Sequence, residues 1–288
     1  MRQAHSTGYC LTGSIREQCF FVWYGSGANG KSTMLGVVRA LLGDLHYAAP
    51  AVLFQQQRSP VHSSYIMGLM GARIIAVAET EQGHRIDEAR VKHITGGEPM
   101  TGRRLFATMP TTFPIVGKLI WCTNHLPTIQ SQGHAMWRRV RLVRFGVQIP
   151  KEEEDPNLLD KLIGELDGIL AWCVRGTGKW LEDGLNPPAA VTVATRQYQR
   201  AEDRIQQFFD DECVIEVDAQ VSRCDLAARF SAWLNENGEG RISLRAFYSR
   251  LRDLGYGETR TLQDGRAFQG LKLAVDGLSH QETLSALT

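Results

Sequence analysis

The chain has 288 residues, of which 43% are hydrophobic and 22% charged, and its formal net charge is +1. This composition is typical of a globular protein with one large or two modest domains. No apolar stretch approaches the roughly 20 residues that a membrane-spanning helix needs, and the N-terminus lacks the apolar core of a signal peptide. We therefore expect a cytoplasmic protein with no membrane partner.

The first informative feature is the sequence GSGANGKST at 25–33, which fits the pattern G-x-x-x-x-G-K-[ST]. An apolar run at 20–24 predicts a buried strand before it, and apolar residues at roughly helical spacing follow from Leu35. Strand, glycine-rich loop and helix in this order are typical of a phosphate-binding loop. Lys31 would reach the β- and γ-phosphates of ATP, and the Ser32 hydroxyl would bind Mg²⁺. We expect the nucleotide to be bound by Gly25, Ser26, Gly27, Ala28, Asn29, Gly30, Lys31, Ser32 and Thr33.

Further strand candidates at 73–78, 118–122 and 140–145 alternate with helical patterns. This alternation predicts an α/β domain over 1–150, with a parallel sheet flanked by helices. A second block, 151–211, would complete or flank this core. Its apolar residues between Leu158 and Leu181 predict a helical segment with a buried face. A further helix is predicted from Ala190 to about Asp211.

The last block, 212–288, has its own pattern. Ser222 with Asp225 three residues later predicts a capped helix with Leu226, Phe230, Trp233 and Leu234 on one face. A second helix is predicted from Ser243, with Leu244, Phe247, Leu251 and Leu254 facing inward. Asp264-Gly265 is a hairpin signal. Two or three helices followed by a hairpin predict a small winged-helix domain. Its arginines, among them Arg245 and Arg266, either contact DNA or are ordinary surface charges.

Acidic residues follow the strand at 74–78, where Glu79 and Glu81 come directly after the apolar run IIAVA. Carboxylates at the end of a buried strand near a phosphate loop are placed to bind Mg²⁺ and to activate water. Asn124 follows the strand at 118–123. Its amide could contact the γ-phosphate, although an Asn shortly before a proline is also common in turns.

Basic residues are concentrated in the middle of the chain. From Arg85 to Arg144 there are ten Lys or Arg against three Asp or Glu, a net charge of +7. This asymmetry favours a polyanionic partner, or else forms a solvated charged face. Arg138 and Arg139 lie just before the strand at 140–145. They could reach the nucleotide of a neighbouring subunit, bind DNA phosphates or pair with acids.

The order of these motifs resembles a known family. The stretches GYCLTGSIREQCFFVWYGSGANGKSTML, VKHITGGEPMTGRR and MWRRVRLVRF are similar to the helicase part of phage and plasmid primase–helicases. These proteins are superfamily III helicases, a branch of the AAA+ ATPases. The resemblance covers about residues 7–150, and the last block resembles the winged-helix tail of family members.

The resemblance implies roles for individual residues. Glu79 and Glu81 would take the magnesium-binding and water-activating positions, in an order that remains open. Asn124 would be the nucleotide sensor, and Arg139 or Arg138 the arginine finger. Residues about 100–118 would form a hairpin in the channel of a hexameric ring, with Arg103, Arg104 and Lys118 gripping one DNA strand.

These observations predict an ATP- and Mg²⁺-dependent DNA helicase or translocase of phage- or plasmid-type replication. It would act as a homohexamer on single-stranded or forked DNA. The alternative is an ATP-switched DNA-binding regulator or assembly protein that does not unwind DNA. Only 24 residues precede Gly25, too few for a primase domain, so we expect either a shortened protein or a subunit that works beside a separate primase.

Overall fold

A computed structural model describes residues 2–57, 59–78, 83–261 and 265–274. The chain forms two compact units, Met1–Glu202 and Asp203–Thr288. The boundary between the units precedes the one expected at 212, because the segment predicted to be one helix, from Ala190 to about Asp211, forms two helices. The Asp203 carboxylate accepts the N–H of Gln206 at 3.0 Å and caps the second one. No helix within the described ranges combines the length and apolar character needed to cross a bilayer.

The first unit is built on a parallel sheet. In chain order its elements are α1 (Arg2–Leu11), β1 (Phe20–Tyr24), α2 (Lys31–Leu42), β2 (His46–Ala48), α3 (Ser63–Met67), β3 (Ile74–Ala78), α4 (Glu88–Gly96), β4 (Met100–Gly102), β5 (Thr111–Phe113), β6 (Lys118–Thr123), α5 (His134–Trp137), β7 (Val140–Arg144), α6 (Leu158–Gly164), α7 (Leu166–Asp183) and α8 (Ala189–Glu202). The strands β2-β3-β6-β1-β7 pair in this order, all parallel. β4 and β5 form a separate antiparallel hairpin. The four predicted strands are confirmed, whereas β2 is too short to leave a pattern in the sequence.

Both faces of this sheet are buried. Along β1, Phe20 and Val22 belong to the core on one face, while Phe21 and Trp23 belong to the core on the other. β3 and β6 divide their side chains in the same way. A strand that is covered on both sides needs apolar residues at every position. This is the physical reason for the uninterrupted runs FFVWY, IIAVA and LIWC in the sequence.

α1 and α7 cross closely on one face of the sheet. A Cβ atom at Gly8 would overlap the backbone of Gly176 and Thr177, so glycine is required at the crossing. Trp180 is buried against Tyr9, with 5.0 Å between the ring centroids.

The predicted buried face of α6 and α7 is wrong for most of its residues. Leu158, Ile163, Leu170, Trp172, Val174 and Leu181 are exposed. Because α7 packs through Cys173, Gly176 and Trp180, its larger side chains Leu170, Trp172, Val174 and Leu181 are left on the surface of the unit.

The second unit is α/β, with an antiparallel sheet. It contains α9 (Arg204–Glu212), β8 (Cys213–Ser222), α10 (Arg223–Glu236), α11 (Leu244–Asp253), β9 (Glu258–Thr261) and β10 (Gly265–Leu273), and its strand order is β8-β10-β9. The predicted cap is confirmed, since Ser222 Oγ accepts the Asp225 N–H at 3.1 Å. The predicted apolar face of α10 is buried. In α11, Phe247 and Leu251 are buried as predicted, whereas Leu244 and Leu254 are exposed. Asp264 lies outside the described residues.

Candidate functional site

The loop between β1 and α2 has an unusual backbone. Gly27, Ala28 and Gly30 have positive φ angles of 107°, 46° and 82°. Closely spaced residues of this kind turn backbone N–H groups toward one side and form a concave site for an anion. Gly25 is required for another reason, because a Cβ atom there would overlap the Phe145 carbonyl oxygen.

The helix that follows this loop begins without a side-chain cap. Gly30 is the N-cap residue of α2, and no side chain accepts from the first-turn N–H groups. These donors carry the positive end of the helix dipole. A phosphate bound here would satisfy them, so the N-terminus of α2 fits the triphosphate that the sequence predicts.

Lys31 is the first residue of α2, directly after the loop, and is 7% exposed. Its Nζ donates to the Gly25 carbonyl at 2.7 Å and to Asn29 Oδ1 at 3.1 Å. The Asn29 amide in turn donates to the Phe145 carbonyl at 3.1 Å, which ties the loop to the end of β7. Burial lowers the pKa of Lys31. A phosphate that replaced the Gly25 carbonyl as acceptor would give this buried ammonium an oppositely charged partner.

The loop opens into a cleft of about 1470 Å³ at the carboxyl edge of the sheet. The cleft is lined by Lys31 and Ser32, by the last residue of β3 and by Asn124 after β6. It is also lined by Glu153, Glu154 and Asp155, acidic residues to which the sequence pattern assigns no role. Glu79 follows Ala78 directly and Glu81 comes two residues later; both lie outside the described residues, so their roles stay predictions.

Asn124 is exposed within this cleft. The preceding Thr123 fixes the turn, because its hydroxyl donates to the His125 carbonyl at 2.6 Å and accepts the His125 N–H at 3.1 Å. The amide of Asn124 is therefore presented by a rigid strand end, on the same side of the sheet as Lys31. Asn124 and Lys31 thus line the same cleft, and the sensor role of Asn124 stays a prediction.

The two adjacent arginines point in different directions. Arg139 is buried, and its guanidinium donates to Thr95 Oγ1 at 3.0 Å and to the Ala135 carbonyl. These contacts lie inside the first unit, so the prediction that Arg139 is an arginine finger is corrected. Arg138 is exposed and donates to Gln18 Oε1 at 2.8 Å. Of the two candidates, only Arg138 is placed to reach another molecule.

The predicted DNA-gripping hairpin is shorter than expected and ends at Phe113. Arg103 and Arg104 are exposed in its loop, as predicted. Lys118, in contrast, is the first residue of β6 and is 1% exposed. Its ammonium donates to the Thr12 carbonyl and lies 4.9 Å from the centre of the Tyr9 ring. The prediction that Lys118 contacts DNA is therefore wrong, because the side chain binds α1 and its C-terminal turn.

Burial lowers the pKa of Lys118 to about 8, an effect that Cys10 opposes and Arg73 reinforces. A lysine at the start of a buried strand can be mistaken for an exposed charge in the sequence. The carbonyl that accepts its hydrogen bond is distant in the chain and is brought close only by the fold.

In the second unit, Arg245 is exposed on α11 and Arg266 is exposed on β10. Arg266 lies 4.0 Å from the Glu258 carboxylate, which also pairs with Arg252 at 3.1 Å and with Arg223 at 3.7 Å. One carboxylate therefore partly neutralises three of the arginines on this unit. Arg245 remains the better placed of the two predicted DNA contacts.

Comparison with known proteins finds viral proteins that are similar to this chain. A family description, "Family of unknown function (DUF5906)", matches residues 23–139, which include the phosphate loop, Asn124 and Arg138. "Putative helicase L207/L206" of Acanthamoeba polyphaga mimivirus is 29% identical over 81% of this chain. "Putative helicase 022R" of Frog virus 3 is 26% identical over 82%, and "Putative primase C962R" of African swine fever virus is 22% identical over 77%.

The chain is thus similar in sequence to proteins of large DNA viruses that carry helicase and primase names. It spans only about a quarter of their length, 26% of the mimivirus protein. The fold has a solved counterpart in the apo C-terminal region of NrS-1, with a TM-score of 0.52, 9% identity and coverage of 93% of this chain and 71% of that one. At this identity the likeness concerns the fold alone.

Proposed function

We propose that this chain is an ATP-dependent DNA helicase or translocase of DNA replication that works as a ring of identical subunits. The observation that carries the proposal is the shared position of three features at one sheet edge. These are the uncapped N-terminus of α2, the ammonium of Lys31 and the amide of Asn124. The helicase and primase names of the viral relatives support a replication role.

ATP would bind with its phosphates in the loop 25–33. The ammonium of Lys31 would exchange the Gly25 carbonyl for phosphate oxygens, and the amide of Asn124 would orient the terminal phosphate or the attacking water. Mg²⁺, when bound, would neutralise charge on the phosphate oxygens. The hydroxyl of Ser32, exposed in the first turn of α2, would hold it together with Glu79, and Glu81 or Glu79 would activate water.

Assembly would complete the site. Because Arg138 is exposed and away from its own core, we propose that it stabilises the charge on the phosphates of a neighbouring subunit. The stripe of Leu170, Val174 and Leu181 on α7 supports such an assembly. Their spacing puts them on one side of the helix, where they are 44%, 57% and 59% exposed. Adjacent exposed apolar side chains of this size favour burial against another protein surface.

DNA would pass the β4–β5 hairpin, where Arg103 and Arg104 are exposed. The second unit would add a further contact. Its elements follow one another as helix, strand, two helices and two strands, an order that supports our proposal of a winged helix, with Arg245 on the helix that would face DNA. A separate primase would supply primers.

A forked duplex with a fluorescent strand tests this proposal against an ATP-switched regulator. We expect strand separation with ATP and none with a non-hydrolysable analogue, in the full chain with Mg²⁺ present. Tight binding in the presence of the analogue, combined with no strand separation under ATP, would assign the chain to the regulator class instead.

A further inference from the structure

The tip of the β4–β5 hairpin exposes apolar side chains. Leu105, Phe106 and Met109 are 63%, 96% and 74% exposed. Phe106 thus leaves almost its entire side chain in water, although a phenylalanine is stabilised by burial more than most residues. Such a position is unfavourable for the isolated chain and calls for a partner.

The backbone of Phe106 is unfavourable as well. Its φ angle is +64°, in the left-handed region that favours glycine. The Ala107 N–H donates to the Arg104 carbonyl at 3.1 Å, so Phe106 occupies the third position of a tight turn. Glycine or asparagine is the usual residue at a turn position with positive φ. An aromatic residue that is both strained and exposed indicates a function of its side chain.

The base of the hairpin is fixed. The Arg103 N–H donates to Ser63 Oγ at 2.7 Å, and the hydroxyls of Thr101 and Thr112 lie 2.8 Å apart across the two strands. A Cβ atom at Gly102 would approach Met67 Sδ to 2.9 Å, which shows how closely β4 packs on α3. A well-anchored base presents the tip in one place, as a contact with a ligand requires.

The charges at the tip indicate which ligand it meets. Arg103 and Arg104 are exposed immediately before Leu105 and Phe106, within the segment that carries a net charge of +7. Cations beside an exposed aromatic ring match a single nucleic-acid strand, in which phosphates alternate with flat bases. An apolar protein surface would match the ring but not the two guanidinium groups.

We propose that Phe106 stacks on a nucleobase of single-stranded DNA while Arg103 and Arg104 hold the adjacent phosphates. This inference rests on the proposed function and adds a base contact to it. Since every base has an aromatic face, the contact is independent of DNA sequence. It suits a protein that must hold successive nucleotides as the strand moves.

The test compares a labelled oligothymidylate with the same backbone carrying abasic sites, in the full chain. The wild type should bind oligothymidylate about tenfold more tightly than the abasic strand, since stacking on one base has about this value. Phe106→Gly should lose this preference and keep or raise the melting temperature, because glycine relieves the positive φ. Phe106→Trp should restore the preference.

Asn186 supplies a matched control, since it is also exposed with a positive φ of 37°. Asn186→Gly should leave the base preference unchanged. Loss of the preference only in Phe106→Gly, with rescue by tryptophan, would support the inference.

Three results would overturn it. They are an unchanged preference in Phe106→Gly, a lower melting temperature of this variant that accounts for its weaker binding, and equal binding of both strands by the wild type. If the wild type binds neither strand, the proposed function itself fails; if it binds both equally, only the role of Phe106 fails.

Discussion

Nε of Arg139 donates to the Thr95 hydroxyl oxygen at 3.0 Å, and this bond holds the second of two adjacent arginines inside the first unit. The same hydroxyl donates to the Val91 carbonyl at 2.7 Å, so α4 and the start of β7 are joined through one side chain. Arg138, one residue earlier, is exposed. Arg139 therefore has a structural role, whereas Arg138, with the same chemistry, is a candidate for a catalytic role.

The first prediction separates these roles. Arg139→Ala should lower the free energy of unfolding by about 2 kcal/mol, because it removes buried hydrogen bonds of a charged group. Arg138→Ala should unfold like the wild type but lose most of its ATP hydrolysis. Thermal unfolding and ATPase rates of the two variants, measured side by side, check both statements.

Mixing experiments test whether Arg138 acts on a neighbouring subunit. Lys31→Ala and Arg138→Ala subunits, each inactive alone, should regain part of the activity together, since some interfaces then combine an intact lysine with an intact arginine. Full activity of Arg138→Ala alone would exclude the role in trans.

The second prediction concerns Lys118 and pH. Burial lowers its pKa to about 8 in the folded chain, whereas the unfolded chain keeps the ordinary value of about 10.4. Between these values the unfolded state binds more protons, so the stability contribution of Lys118 rises with pH. Relative to Lys118→Met, the wild type should gain about 2 kcal/mol of unfolding free energy between pH 7 and pH 10.

Denaturant unfolding of both proteins across this pH range measures the difference. Burial raises the pKa of Cys10 and of Cys19, the thiols that interact with Lys118, to about 12, so in the folded state both thiols stay protonated across this pH range in either protein. Lys179→Met provides the control, because Lys179 is exposed and its removal should give a pH-independent difference. A similarly flat difference for Lys118→Met would contradict a depressed pKa.

The third prediction tests Asn124. Because this side chain is exposed in the cleft, Asn124→Ala should fold normally and bind ATP with an affinity close to that of the wild type. Because we propose that the Asn124 amide acts on the transition state and not on bound ATP, its loss should lower kcat by about 100-fold. The adjacent exposed residue gives the control variant His125→Ala, which should keep its kcat. Equal kcat values in both variants would leave Asn124 with a turn-forming role.

The fourth prediction addresses the apolar stripe on α7. Val174→Glu and Leu181→Glu should leave the melting temperature of the isolated chain unchanged, because both residues are exposed. They should prevent assembly, since a charge would be buried at the interface without a partner. Particle mass with single-stranded DNA and a non-hydrolysable ATP analogue measures this effect. Lys179→Glu, on another side of the same helix, should assemble normally. If Val174→Glu and Leu181→Glu also assemble, the interface lies elsewhere.

Much of the core can be predicted because its physics is local. Strands buried on both faces leave continuous apolar runs, which reveal β1, β3 and β6, and glycines at set spacing reveal the phosphate loop and the start of α2. β7 (VRLVR) is revealed by alternation instead, since its buried residues are Val140 and Leu142. The cap at Ser222 is equally local, since it involves residues three apart.

The errors concern long-range packing. Periodicity predicts that α7 is a helix, but only the fold shows that Gly8 and Gly176 set its packed side and leave Val174 outside. The sequence does not reveal that Arg139 and Lys118 are buried, because the groups that accept their hydrogen bonds, in Thr95 and Thr12, come from other elements. Phe106 was missed because one strained, exposed residue leaves no periodic pattern; a clue was the apolar pair that follows the two arginines.

ATP hydrolysis by the full chain, with and without single-stranded DNA, tests the central claim most directly when the wild type is compared with Lys31→Ala. The account predicts turnover that DNA stimulates in the wild type and that is abolished in the variant, with the melting temperatures of the two proteins close. Turnover by Lys31→Ala at the wild-type rate would contradict the account at its foundation, because the loop around Gly25 and Asn29 would then not be the site of phosphate cleavage.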